Sequence, residues 1–273
     1  SFSGEWDEDP KAKLSKGRFE MGSVLLDNNR KLVLTGGVEH SDSLYLDTIE
    51  VLQPNVEGEV LPITLPKTLR KLGSCAINST AFIVVGGQDK SPPATGGRSN
   101  NTYIIDIEAM HIVNGPTLME GRSDNACQTM TIAQKDYIVA PGGTGGTSRS
   151  GVQLTSTELL DLSQLNSDES AWIPGENVSV PKKLLVTPRI SLKGPELPVA
   201  NCDFELVPSS DSSSLYTIGA CRSNIWDKVY KMTCPTDVES CIWEEHSSIK
   251  TGRGRGSLAI PLTGNMVNKL CYN

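Results

Sequence analysis

Hydrophobic residues in this chain come in short bursts. Apolar, largely β-branched runs alternate with polar or glycine-rich stretches, and no segment of useful length carries the period of an amphipathic helix. The most regular burst is Lys31-Leu-Val-Leu-Thr-Gly36-Gly37. It returns as Ala81-Phe-Ile-Val-Val-Gly86-Gly87 and as Asp136-Tyr-Ile-Val-Ala-Pro-Gly142-Gly143, with a weaker copy at Ser214-Leu-Tyr-Thr-Ile-Gly219-Ala220. Each copy reads as a β-strand ending where the chain must turn tightly or pass close to another backbone, which glycine permits.

The surroundings of each burst recur as well. A strand opening precedes it, led by arginine: Arg18 before Gly22-Ser23-Val24, Arg70 before Gly73-Ser74-Cys75, Arg122 before Ala126-Cys127, and Arg253 before Gly256-Ser257-Leu258. A third strand is predicted after it, over 46–52, 101–107, 156–162 and 225–232, and a fourth element ends in Gly-Pro-x-Leu at 115–118 and 194–197. The unit is four short strands in about 50 residues, a size that suits repeated four-stranded sheets.

A hydrophobic strand ending in Gly-Gly, an Arg-led first strand and a third strand such as Tyr103-Ile-Ile-Asp106 resemble the kelch repeat. The resemblance covers nearly the whole chain. It implies an all-β fold, a kelch-like β-propeller, in one domain spanning 1–273. Unit starts give about five four-stranded blades: 18–69, 70–121, 122–200, 201–251, and 252–273 completed by 1–17. The last blade would be closed by strands from both termini, which removes the exposed sheet edge. Six blades stay open as an alternative if the enlarged third unit conceals another. In some kelch relatives the leading arginines line a partner-binding face. The resemblance therefore implies a ligand-binding rosette of Arg18, Arg70, Arg122 and Arg253, suited to carboxylate, phosphate or sulfate. The competing reading is that each arginine serves a scaffold ion pair.

Composition narrows the setting. The 273 residues carry 25 Lys+Arg against 32 Asp+Glu, a net charge of −7, which argues against a nucleic-acid coat. No apolar run is long enough to span a membrane as a helix. Seven cysteines include no CxxC pair, so neither a zinc knuckle nor a thioredoxin-like site is suggested. Cys234 and Cys241 bracket a turn between two strand-like stretches and are expected to bond. Cys202 and Cys221 are expected to bond if Val207 faces Tyr216 across the 208–214 turn; a register shifted by one would put Ala220 opposite Cys202 instead. Cys75, Cys127 and Cys271 receive no partner, the first two being expected to be buried at equivalent first-strand positions. Sequons at Asn78, Asn100 and Asn177 fall in predicted loops, where glycans are tolerated. Bridges and sequons together point to an extracellular, secreted protein, taken here as a mature form whose signal peptide has been removed.

Candidate chemistry is sparse. His40, His111 and His246 fall at places in the repeat that do not converge, so no metal site is expected. No nucleophile elbow precedes a helix, and Gly142-Gly-Thr-Gly-Gly146 lacks the lysine of a phosphate loop. No catalytic residue and no cofactor are assigned. The leading expectation is a non-catalytic extracellular binding or assembly module. It would use the propeller channel face and loops toward an extracellular protein or anionic ligand. Two alternatives stand beside it: a carrier of a small apolar ligand such as a pigment, as a homo-oligomer, and a channel-mouth hydrolase or oxidase.

Overall fold

The computed structural model describes residues 13–26, 30–39, 44–89, 97–146, 151–165 and 191–252. Over these residues the chain is all-β, interrupted only by two short 3-10 turns, Leu162–Gln164 and Ser223–Ile225. No helix among them is long and apolar enough to cross a membrane.

Four antiparallel sheets of four strands each carry the structure, and in each of them strands that follow one another in the meander pair. The first sheet is Gly22–Leu26, Lys31–Thr35, Thr48–Gln53 and Val56–Thr64. The second is Gly73–Ala76, Ala81–Val85, Thr102–Asp106 and His111–Asn114. The third is Gln128–Ile132, Lys135–Pro141, Thr157–Asp161 and Ser191–Lys193. The fourth is Glu205–Pro208, Ser214–Ile218, Lys228–Thr233 and Ile242–Ser248. First strands of successive sheets lie against one another. Residues 166–190 of the third unit and nearly all of the expected last blade, 253–273 and 1–12, lie outside the described residues.

Alternation along the strands explains how the sheets stack. Every residue of Ala81–Val85 is buried. Phe82 and Val84 enter the seam with the first sheet, alongside Val33, Ile49 and Leu69. Ile83 and Val85 enter the seam with the third, alongside Ile138, Ala140 and Leu160. A strand whose side chains alternate into two cores needs apolar residues at every position, so the run shows no polar face. A third seam, between the third and fourth sheets, contains Met130, Val139, Leu159, Leu215 and Met232.

Three disulfides fasten this stack. Cys202–Cys221 closes the fourth sheet's first pair of strands, where Val207 does face Tyr216. Cys234–Cys241 closes the turn between that sheet's last two strands. The third bridge joins two cysteines that the sequence left without partners, Cys75 and Cys127, with Cα atoms 5.7 Å apart. Their places in the repeat are not equivalent. Cys75 lies two residues after Gly73, which faces Val85. Cys127 lies immediately before the paired segment Gln128–Ile132. That offset lets the two thiols meet across the seam instead of pointing the same way around it.

Candidate functional site

The glycine corners set the end of the stack where polar chemistry gathers. Gly37, Gly87 and Gly143 all have positive φ. Their N–H groups donate to the carbonyls of Leu69, Arg122 and Asn201, which lead the next sheet. A Cβ at Gly86 would lie within van der Waals overlap of the Arg122 carbonyl, so only glycine fits that corner. These contacts also fix the repeat register. Leu69, Arg122 and Asn201 hold one place, four residues ahead of Gly73, Ala126 and Glu205, and Arg18 holds it four residues ahead of Gly22. Arg70 stands one residue further on.

Arg18 and Arg122 are therefore alike, and both are buried. Arg18 Nη2 lies 2.7 Å from Glu50 Oε2, while its Nη1 donates to the carbonyls of Gly36 and Thr48. Arg122 Nη2 lies 2.7 Å from Glu158 Oε1, while its Nη1 donates to the carbonyls of Ala140, Gly142 and Ser156. Each glutamate also accepts from the segment leading into its arginine: Glu50 from the Ser15 N–H at 2.6 Å, Glu158 from the Met119 N–H at 2.7 Å. The second and fourth sheets dispense with the device as a set. Tyr103 and Tyr230 take the glutamate's place, Leu69 and Asn201 the arginine's, and Pro66 and Pro198, which have no N–H, stand where Ser15 and Met119 donate. The rosette expected of the four arginines thus separates. Arg18 and Arg122 are scaffold ion pairs closed to a ligand, and Arg253 lies outside the described residues.

Arg70 is different. It is half-buried, its Nη1 lies 3.0 Å from Glu20 Oε2, and its guanidinium stacks 4.8 Å above the Tyr45 ring. Beside it runs a row of charged residues in left-handed backbone conformation: Glu20, Lys71, Asp124 and Asp203, with φ of 54°, 55°, 53° and 52°. The N–H of each donates to the carbonyl of the one before, at 2.7, 2.9 and 3.0 Å. Lys71 Nζ lies 2.6 Å from Asp124 Oδ1. Burial pushes the Asp124 carboxyl up, but the hydrogen bond and charge of Lys71 outweigh it and hold the group below the usual carboxylate range. Sequence reasoning missed this row. Its signal was a charged residue two places ahead of each of the matching positions Gly22, Gly73, Ala126 and Glu205, at Glu20, Lys71, Asp124 and Asp203.

Around the row, the connections between second and third strands build small sheets of their own. One contains Arg18–Phe19, Val38–Glu39 and Leu44–Tyr45; another contains Thr144–Gly145 and Val152–Gln153; single bridges join Arg70 to Gln88 and Gln88 to Arg98. Large apolar side chains stand exposed here: Phe19 at 44%, Leu44 at 47%, Val152 at 62%, and Trp226 at 40% on the fourth sheet's corresponding connection. Arg222 from that connection bonds Gln153, tying the two neighbouring loops together.

The remaining candidates are dispersed. Asn78 is exposed in the turn at the opposite end, where its Oδ1 accepts from the N–H groups of Thr80 and Ala81. Asn100 is exposed just ahead of the second sheet's third strand, and Asn177 lies outside the described residues. His111 and His246 are exposed on the outermost strands of different sheets, and His40 lies outside the described residues. No protein-family model matches the chain, and no curated protein matches it.

Proposed function

We propose that the chain is a kelch-like β-propeller of about five blades and acts as a secreted, non-catalytic binding module that grips an extracellular protein with its loop-bearing end. The observation that carries this reading is the surface of that end. Exposed Phe19, Leu44, Val152 and Trp226 lie at the same end of the sheets as the Tyr45–Arg70 stack. Aromatic side chains and arginine on a rigid base are the composition of interface hot spots, because they bury much area at little entropic cost. The base is rigid for stated reasons: glycine corners bonded into the next sheet, buried Arg–Glu pairs and three disulfides. Those bridges also support an oxidising, extracellular setting.

The test places a photo-crosslinking residue at Leu44, and separately at Val60 on the first sheet's outermost strand, and exposes each protein to the extracellular fluid of its source. Crosslinking to one protein from Leu44 alone is expected. For that partner, Tyr45→Ala with Trp226→Ala should weaken Kd by about tenfold or more with unchanged thermal unfolding. Equal crosslinking from both positions, or an unchanged Kd, overturns the reading.

A further inference from the structure

The fourth sheet's connection between second and third strands carries a charge that its surroundings leave standing. Arg18, Arg70 and Arg122 each lie against a glutamate, Glu50, Glu20 and Glu158 in turn. Arg222 meets an amide instead. Its Nη2 donates to Gln153 Oε1, and among the described residues it forms no ion pair. The side chain is exposed. A glutamate at 153 would make the same tie between the two loops and cancel the charge. Glutamine, a neutral acceptor, makes the tie and leaves the cation uncompensated, in a chain whose net charge is −7.

The backbone around this cation is held on both loops. Arg222 follows Cys221 of the Cys202–Cys221 bridge and leads into the 3-10 turn Ser223–Ile225. The Ile225 N–H donates back to the Arg222 carbonyl, and the Ile225 side chain is buried. Trp226 closes that turn, 40% exposed, with Gly252 so near that a Cβ there would meet the Trp226 Cβ at 2.9 Å. On the other loop Gln153 pairs with Thr144, which is buried and bridged to Ser123, and Val152 beside it is 62% exposed. Two tied loops thus present a guanidinium, an indole and a valine on fixed backbone. Arginine and tryptophan so presented dominate binding energy at interfaces, and the arginine fork suits a carboxylate.

We infer that this corner of the loop-bearing end receives an acidic segment of the partner protein, a carboxylate pairing with Arg222 while an adjoining apolar side chain lies on Trp226 and Val152. The inference rests on the loop-bearing end being the gripping surface, and it names what that surface grips. Charge complementarity selects the occupant. A sulfated polysaccharide is held by rows of cations and repelled by an excess of acids. One uncompensated guanidinium beside two apolar side chains matches a carboxylate with an apolar neighbour instead.

Selection of short random peptides, displayed on phage, against the full chain tests the assignment. The expected binders carry Asp or Glu beside a leucine or an aromatic residue. For a selected peptide, Gln153→Glu should weaken Kd by about tenfold or more with Tm unchanged, because the loops stay tied and only the free charge is lost. Arg222→Gln should weaken it as much. An arginine that merely ties the loops predicts full binding in Gln153→Glu. Added salt should weaken the wild-type complex more than the Gln153→Glu complex. No binder, binders without an acid, or binders indifferent to both substitutions overturn the inference. If indifferent peptides still lose affinity in Tyr45→Ala, the loop-bearing end stands and only the Arg222 corner falls. If they crosslink from Val60 rather than Leu44, the gripping surface falls with it. Heparin fragments that bind more tightly than the peptides, and are lost in Gln153→Glu, would assign the corner to a polysaccharide and overturn the inference too.

Discussion

Arg122→Ala is expected to lower stability by about 4 kcal/mol, read as a shift in the urea midpoint, or to prevent folding at physiological temperature. The reason is what the substitution leaves behind. Glu158 is left without its partner, its side chain only 2% exposed, and the carbonyls of Ala140, Gly142 and Ser156 lose their donor. Removing one partner of a buried ion pair costs more than the pair itself contributes. The molecule already contains the repair. The second sheet fills the same places with Leu69, Tyr103 and Pro66. Arg122→Leu with Glu158→Tyr should therefore recover about half of the loss, because the N–H groups of Met119 and Glu120 and the Ser191 hydroxyl then lack the acceptor they have now. Adding Met119→Pro, which removes one of those donors, should recover a further part of the loss, about 1 kcal/mol, with the Glu120 N–H and Ser191 hydroxyl still without Glu158. A double variant no more stable than Arg122→Ala would show that the arginine acts through its carbonyl bonds rather than through Glu158.

The same residues show where the sequence was legible and where it was not. Strand positions were readable because two cores per sheet force unbroken apolar runs such as Ala81–Val85, and because the corners demand glycine. The register of Cys202 and Cys221 was readable because both lie in one hairpin, where a single facing pair sets all the others. What failed was the alignment between units. The leading arginines looked equivalent, yet Arg18 and Arg122 stand four residues ahead of the matching register positions Gly22 and Ala126, and Arg70 three ahead of Gly73. That single step separates a buried fastener from a surface side chain stacked on Tyr45. The identical step hid the Cys75–Cys127 bridge. Counting from the shared register position (Gly22, Gly73, Ala126, Glu205) instead of from the arginine would have separated the two classes, and would also have exposed the charged row at Glu20, Lys71, Asp124 and Asp203. The exposed loop surface was illegible for a different reason. Phe19 and Leu44 belong to one small sheet while Val152 and Trp226 come from two other connections, and only the stacking of the sheets brings these to one end.

Replacing Cys75 and Cys127 together by alanine is expected to cost about 4 kcal/mol, more than loss of either other bridge. The bond joins residues 52 apart in sequence and crosses from one sheet to the next, whereas Cys202–Cys221 and Cys234–Cys241 span 19 and 7 residues within the fourth sheet. Closing a longer loop removes more freedom from the unfolded chain, which places the three losses at about 4, 3 and 2.5 kcal/mol on the loop-entropy argument. The short loops still hold their sheet together through its own backbone ladder when the bridge is cut. The seam has no ladder: the second and third sheets meet there through side chains such as Ile83, Val85, Ile138 and Leu160. Burial sharpens the contrast. Cys75 and Cys127 are 1% and 6% exposed inside that seam, so a reductant reaches them only when the sheets part. Native-state reduction followed by alkylation and mass measurement should then find Cys75–Cys127 the last bridge to open, coincident with global unfolding. Early reduction of that bridge in a protein that remains folded would mean that the two sheets separate readily, and would remove the rigid base on which the proposed binding end depends.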